Sequence, residues 1–300
     1  TTGTPLAFMI RNRNTRPEDY DHLRELFRPS HADLTYTRKY GIRDHRGGGR
    51  SSARETATWV MAGAMIEPWL NAMGIRIEAF VSAIGMISVP DDFSFPSREE
   101  VESSPLACPH SESHVRMDNL IRELREAGDS VGGVISARIC GLPAGLGEPV
   151  FGKFNAMLGH AMLSIPAVKG FELGEGFHAA ELTGSQHNDP ISSFLPNGNA
   201  QTVTNHAGGV LGGITNGEDV TFRVAFKPIA SISRPQTTLN RQGEKVSLEI
   251  KGRHDVCPVP RAVPIVEGLA ALVTADFILR QYAHEKAVQQ KGSVEGLFST

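Results

Sequence analysis

The sequence predicts an α+β fold built on antiparallel sheets, and two observations carry that prediction. Strand-like and helix-like segments do not alternate as βαβα, and no G-x-G-x-x-G run follows a strand, which argues against a parallel Rossmann sheet. Where strands are evident they alternate: Thr221, Arg223 and Ala225 interleave with Phe222, Val224 and Phe226, the mark of a half-buried strand. A chain of 300 residues can bury a large core. The patterning is similar on both sides of its loops, so one domain over 1–300 is expected.

The first helix is expected from Ser52, whose spacing to Glu55 is that of a capping box. An apolar run follows through Val60, Ala64 and Ile66, with Gly74 as the stop. A strand is expected over Arg76–Ile87, then a surface loop over 88–112. Met117, Leu120, Ile121 and Leu124 share one face of a second helix that runs to Ala127 and stops at Gly128. Gly133–Cys140 reads as a strand, and Lys153 to Leu163 as a third helix ended by Pro166. The stretch 184–202 reads as a loop, Val220–Phe226 and Val246–Lys251 as strands, and Ala262 towards Glu285 as a fourth helix. The longest apolar runs are short and carry polar residues, so no segment is expected to span a bilayer.

The net charge of -3 offers no general attraction to nucleic acid or to an anionic membrane, so any anion site must be local. Cys108, Cys140 and Cys257 are odd in number and form no CxxC pair, which fits a reducing compartment. The start, Thr1 to Pro5, has no initiator Met, basic region or apolar run, and reads as the inside of a domain.

The most informative run is Gly47-Gly48-Gly49-Arg50-Ser51-Ser52-Ala53-Arg54-Glu55-Thr56. Glycines let backbone approach a ligand closely, and a helix start offers free N–H groups to phosphate. Arg50 and Arg54 stand four residues apart and can add bidentate contacts. The alternative is a glycine-rich loop with solvated arginines; the order is not that of a P-loop. Arg28-Pro29-Ser30-His31-Ala32-Asp33 sets a histidine beside an arginine and near an aspartate, a setting that can hold a charge at neutral pH or can be purely structural. Gly208 to Gly217 holds paired glycines around an apolar dipeptide, suited either to a flat ligand or to a tight turn. Phe226 to Ser231 closes the best strand, and Arg253-His254-Asp255 precedes the last helix. Cys108, His110 and His114 lack a fourth ligand for a metal, and no metal site is expected.

In this order the segments resemble the chorismate synthase family. The similarity begins at Thr1-Thr2-Gly3-Thr4-Pro5 and Arg16-Pro17-Glu18-Asp19-Tyr20, and includes Arg28–Asp33, Lys39-Tyr40-Gly41 and Gly47–Thr56. It continues through Gly128–Gly133, Gly145–Phe151, Ser164–Gly170, Gly208–Gly217, Lys227–Ser231 and Arg253–Asp255. The resemblance implies 1,4-anti elimination of phosphate from 5-enolpyruvylshikimate 3-phosphate to give chorismate. Reduced FMN is required although there is no net redox change, and its source is either the enzyme's own NADPH-dependent reduction or an external flavin reductase. A helical layer packed between antiparallel sheets, a homotetramer and a cytoplasmic location are also implied, without nucleic-acid or membrane partners.

The same resemblance implies roles by position. His31 matches the family histidine beside the flavin ring, where a positive imidazole favours the anionic reduced flavin, and Asp255 matches the aspartate that assists proton removal. Arg28, Ala53, Arg54 and Arg253 match positions around the substrate. Arg50, Ser51, Ser52, Pro166, Ala167, Gly212, Lys227, Pro228, Ile229, Ala230, Ser231 and Arg253 match positions around FMN. Departures from the family pattern are Gly152, where Asp is usual, and Trp59, where Arg is common. The family's Gly-Glu-Ser-His-Gly motif and Arg-rich run are not in this sequence, so an N-terminally shorter chain is expected. The alternative is a non-catalytic flavin-binding or oligomer-forming remnant of the same family.

Overall fold

The computed structural model describes residues 3–13, 17–46, 49–196, 199–250 and 255–289. A 3-10 turn at Pro17–Leu23 precedes helix α1 (Asp33–Tyr40). Two more such turns, Gly49–Ser51 and Ala53–Glu55, lead into α2 (Thr56–Ala72). Strands β1 (Arg76–Ile84) and β2 (Ile87–Ser88) follow, then α3 (Arg98–Ser103), α4 (Ser111–Glu126) and β3 (Gly133–Cys140). Next come α5 (Phe154–Leu163), β4 (Val168–Leu173) and α6 (Gly184–His187). Short strands β5 (Ile191–Phe194), β6 (Ala200–Thr202), β7 (Val210–Leu211) and β8 (Ile214–Thr215) precede β9 (Val220–Phe226). The last described elements are β10 (Gln236–Leu239), β11 (Lys245–Leu248) and α7 (Val259–Gln289).

The period of two in the strands builds one five-stranded antiparallel sheet in the order β2-β1-β3-β9-β4. Its register aligns Ala79, Ala137, Phe222 and Leu173 in one row and Val81, Ile135, Val224 and Phe171 in another on the same face. That face is dry and belongs to the main core. The opposite face carries ion pairs between directly opposed residues, Arg138 to Glu78 at 2.7 Å and Arg223 to Glu172 at 2.6 Å. So the sheet is apolar on one side and charged on the other, as the Val220–Phe226 pattern predicts.

Helices α5 and α7 cover the dry face. The Phe171 ring lies against Gly159 of α5, where an added Cβ would sit 3.1 Å from it. Helix α2 packs on α7 through two glycines: a Cβ on Gly63 would stand 2.3 Å from the Gly268 backbone. Each fully buried Ile, Leu or Phe in this layer is worth about 1.5–3 kcal/mol. Three two-stranded pairs, β5-β6, β7-β8 and β10-β11, stand apart from the main sheet.

Several expectations shift. Ser52 and Glu55 form no capping box: the Ser52 hydroxyl accepts from the Arg54 N–H at 3.4 Å, while Arg50 Nη1 donates to the Glu55 carboxylate at 2.9 Å. A capping box does form at Ser97 and Glu100, inside the stretch expected to be a loop, and starts α3. Helix α4 begins earlier than expected, because the His110 ring accepts the Ser113 N–H at 3.2 Å and caps it. Strand β1 ends at Ile84, and a turn through Gly85 (φ 58) separates it from β2. Helix α7 corrects the membrane expectation as well: Val259–Ala287 is long and apolar enough to cross a bilayer by length and composition. Half of its most apolar window is buried inside the fold, against α2 and the sheet.

Burial on α7 has an energetic consequence at Glu267. Its carboxylate accepts the Ala79 N–H at 3.1 Å, and burial pushes its pKa up to about 7 despite the nearby Arg98 charge. The folded state therefore holds a proton that the unfolded chain releases near the ordinary value of 4.5, so stability falls as pH rises from there to about 7. Glu267→Gln keeps the acceptor and removes the titration. The variant is expected to gain stability over the parent across that window, by at most about 1.4 kcal/mol per pH unit, and to gain nothing further above it. Urea melts at several pH values measure this; a gain independent of pH would contradict it.

Candidate active site

One edge of the main sheet gathers four strand ends: Ile84 of β1, Gly133 of β3, Phe226 of β9 and Val168 of β4. The loops that leave this edge carry most of the sequence-predicted residues. Lys227 follows β9, and its N–H donates to the Ala167 carbonyl at 2.9 Å. Ala167 holds a positive φ of 73°, a strained conformation for alanine, just before β4. The Gly128–Gly133 run packs under Lys227 and Pro228. A Cβ on Gly132 would lie 2.1 Å from the Phe226 carbonyl oxygen, so only glycine allows this approach. The Ser130 hydroxyl donates to the Ile229 carbonyl at 2.8 Å and pins the Lys227–Ser231 turn. The Val131 N–H donates to the Val256 carbonyl at 2.8 Å, which brings Asp255 to the same edge.

The His31 loop reaches this edge from another direction. It rests on the β10-β11 hairpin, where Thr238 Oγ1 donates to the Phe27 carbonyl and the Phe27 N–H donates to the Leu239 carbonyl. A small second core of Leu23, Leu248 and Ile250, with Tyr20 and Leu26 against it, supports the segment. Lys227 Nζ then donates to the Ser30 carbonyl at 2.6 Å, joining the His31 loop to the end of β9. Ser30 itself has φ 56°.

Beneath His31 lies a buried ionic cluster. Arg28 donates to Asp33 from Nε at 2.8 Å, from Nη2 at 3.0 Å and from its backbone N–H at 3.1 Å. Arg43 Nη1 lies 2.7 Å from Asp33 Oδ1, the oxygen that Arg28 Nη2 also reaches, and Arg43 Nη2 donates to the Leu23 and Leu26 carbonyls at 2.6 Å each. His31 Nδ1 stands 3.0 Å from Asp33 Oδ1. Burial alone would raise the Asp33 pKa, but hydrogen bonds and charge from His31 and Arg28 hold it well below the carboxylate range. Breaking so buried a pair typically costs about 3–5 kcal/mol.

The predicted site residues are thus placed unevenly. His31, Lys227 to Ser231, Pro166, Ala167 and Asp255 meet at one edge. Arg28 is buried, with its guanidinium on Asp33. Asp255 is half-buried and takes a hydrogen bond from Arg261 Nη1 at 2.7 Å. Arg50, Ala53 and Arg54 are exposed on the 3-10 turns before α2, and Ser51 and Ser52 are half-buried there. Gly212 lies at the opposite end of β9, because the neighbouring Gly209 packs against Asp219 and Val220, where that strand begins. Arg253, Gly47 and Gly48 lie outside the described residues.

Two cationic residues were not singled out from the sequence. Arg43 stands ten residues after Asp33, across α1, and no spacing rule connects them. Lys169 sits inside the Ser164–Gly170 run and is exposed. Burial, with Lys169 nearby, pulls the Lys227 amine below its ordinary range, so the two ammonium groups make an edge that favours an anion. His110 and His114, which invite a metal reading, are instead a helix cap and a partner of the Ser104 hydroxyl at 3.1 Å. The three cysteines are free and buried. Burial raises all their pKa values, that of Cys140 to about 12 and that of Cys257 to about 11.

The family model described as chorismate synthase matches residues 1–279. The chain is 57% identical over 284 residues to a chorismate synthase of Opitutus terrae, covering 94% of this chain and 78% of that protein. It is 51% identical over 280 residues to one from Christiangramia forsetii, covering 93% and 77%. A crystal structure of chorismate synthase superimposes with a TM-score of 0.68 at 34% identity, covering 83% of this chain and 70% of that one.

Proposed function

The chain belongs to the chorismate synthase family, carbon–oxygen lyases of the shikimate pathway, and from that premise we propose how its own residues serve the reaction. Its activity is the synthesis of chorismate. The proposed substrate is 5-enolpyruvylshikimate 3-phosphate, and the proposed cofactor is reduced FMN. The observation that carries this reading is the joining of the His31 loop, through the Ser30 carbonyl, to Lys227 at a sheet edge that also holds Asp255.

The residues present fit an anionic cofactor and an anionic substrate. The Lys227 ammonium uses one proton on the Ser30 carbonyl and keeps two donors for a ligand. Its lowered pKa, caused by burial and Lys169, rises again when an anion neutralises the pair. Arg54, exposed on the 3-10 turn before α2, and Arg253 add cationic donors in this reading, and Arg50, Ser51 and Ser52 add side-chain donors, the Ser52 N–H being taken by the Gly49 carbonyl at 3.0 Å. Ala53, Pro166, Ala167, Pro228, Ile229, Ala230 and Ser231 supply contact surface in this reading, as Gly212 does in the family pattern. Arg28 acts on the ligand indirectly, through the His31 loop. When bound, reduced FMN supplies transient reducing power with no net redox change. His31 holds a proton towards the flavin ring, and Asp255 provides the carboxylate that assists removal of the substrate's ring proton. The phosphate leaves into the cationic edge.

The wider reading keeps one domain over 1–300, with the helices as a layer between antiparallel sheets. Met65 and Trp69 on one face of α2, with Met73 at its C-cap, support it: they are exposed by 48%, 39% and 47%. Exposed Phe151 and Phe177 likewise favour assembly, in this reading a homotetramer. Free thiols favour a cytoplasmic setting, with NADPH or an external reductase as the source of reduced flavin.

FMN is expected to bind more tightly when the substrate is present, because both anions and the same cations form one closed set of charges. Flavin fluorescence titration with and without substrate measures it. No change in fluorescence at about millimolar FMN (weaker than about -4 kcal/mol of binding) would overturn the flavin reading.

A further inference from the structure

We propose that Asp33 is a positioning residue for His31, holding the imidazole by an Nδ1 proton so that Nε2 is the nitrogen presented to the ligand. The identity of that ligand rests on the flavin reading above; the orientation of the ring does not. His31 Nδ1 has two neighbours at the same distance, Arg28 Nη2 and Asp33 Oδ1, each 3.0 Å away. The first can only donate and the second can only accept, so one protonation state of Nδ1 satisfies one of them. The Arg28 guanidinium is already engaged with the Asp33 carboxylate through Nε and Nη2. A hydrogen bond to a carboxylate is also stronger than one from a shared donor to a neutral ring. Nδ1 therefore carries the proton and donates to Asp33.

The carboxylate is itself immobile, which is what a positioning group requires. Arg28 donates to both of its oxygens and the Arg43 guanidinium lies 2.7 Å from Oδ1, while the Leu23 and Leu26 carbonyls fix Arg43 in turn. The Asp33 side chain is 4% exposed, so water does not compete for it, whereas the His31 side chain is 21% exposed, on a loop tied through Ser30 to Lys227. A ring fixed at Nδ1 can gain and release a proton at Nε2 without turning.

The test is nitrogen NMR on the ligand-free full chain labelled with 15N-histidine, recorded above neutral pH. The His31 signals are identified by their loss in His31→Gln. The expected result is a neutral ring protonated on Nδ1. In Asp33→Ala the acceptor is gone and the donor Arg28 Nη2 is left as the neighbour of Nδ1, so the ring changes to the Nε2-protonated form. Turnover of that variant is expected to fall by about 10- to 100-fold, the effect usual for outer partners of a functional histidine. Asp33→Glu keeps a carboxylate and is expected to retain the Nδ1 proton and part of the turnover. A wild-type ring protonated on Nε2 overturns the proposal without any variant, so the test stands even if Asp33→Ala fails to fold. An Asp33→Ala protein with the wild-type tautomer overturns it too. Nδ1 protonation in a chain that binds no FMN would remove the flavin reading and uphold this one.

Discussion

His31→Ala is expected to lower turnover by about 100- to 10,000-fold, the range typical of a side chain that handles a proton in the reacting complex. The chain should stay folded. Removing the imidazole takes one partner from Asp33, but the carboxylate keeps Arg28 at 2.8 Å and Arg43 at 2.7 Å, so no buried charge is left alone. The loop also keeps its tie to the sheet, since Lys227 donates to the backbone of Ser30 and not to the ring. A loss of turnover with an unchanged thermal melt therefore separates a chemical role from a structural one. The assay is steady-state chorismate formation with chemically reduced FMN. Turnover equal to the parent's would remove His31 from the mechanism.

The strands were legible where both sheet faces leave a mark in the sequence. Val220–Phe226 alternates cleanly because Phe222 and Val224 face the helices while Arg223 faces Glu172. Strand β4 has no such alternation: a bulge between Val168 and Gly170 breaks its register, and it is recognisable only by its pairing with β9. Helix starts depended on which partner a side chain finds. Ser52 and Glu55 have the right spacing, but Arg50 takes the Glu55 carboxylate, and the competition cannot be read from spacing. Helix α7 begins before the expected start because Pro260 falls in its first turn, where a missing N–H costs nothing.

Much the same holds for the candidate site. The Arg28, His31 and Asp33 triplet is visible because it is local, and the strand-end position of Lys227 is visible because β9 is. Arg43 was not, since its place under Asp33 is set by the return of the chain after α1, capped by Gly41 at φ 73°. The distance from Gly212 to Lys227 was equally hidden. Both flank the same strand, and only the antiparallel packing of Gly209 on Asp219 shows that they leave its opposite ends. Val220 and Phe226, the two ends of that strand, stand about 20 Å apart at roughly 3.3 Å per residue.

Asp255→Asn is expected to reduce turnover by at least about 100-fold while changing FMN affinity by less than about tenfold, or ~1.4 kcal/mol. Asn matches Asp in size and keeps an acceptor for Arg261, which now lies 2.7 Å from Oδ2. What it lacks is the negative charge and the basicity that the proposed role in assisting removal of the substrate's ring proton requires. The position is set by backbone, through the Val131 N–H to Val256 carbonyl bond, so the loop should not move when the side chain changes. The Arg261 pair is a poor candidate for the whole effect, because its side chains are 77% and 41% exposed and such pairs contribute little. Arg261→Ala is therefore the control, expected to leave turnover within a few-fold of the parent, well under 1 kcal/mol. Flavin titration and steady-state rates on both variants decide the matter. If FMN affinity collapses in Asp255→Asn along with turnover, the carboxylate shapes the pocket and the proton goes elsewhere. If Arg261→Ala loses as much turnover as Asp255→Asn, the ion pair is the functional unit and Asp255 does not act alone.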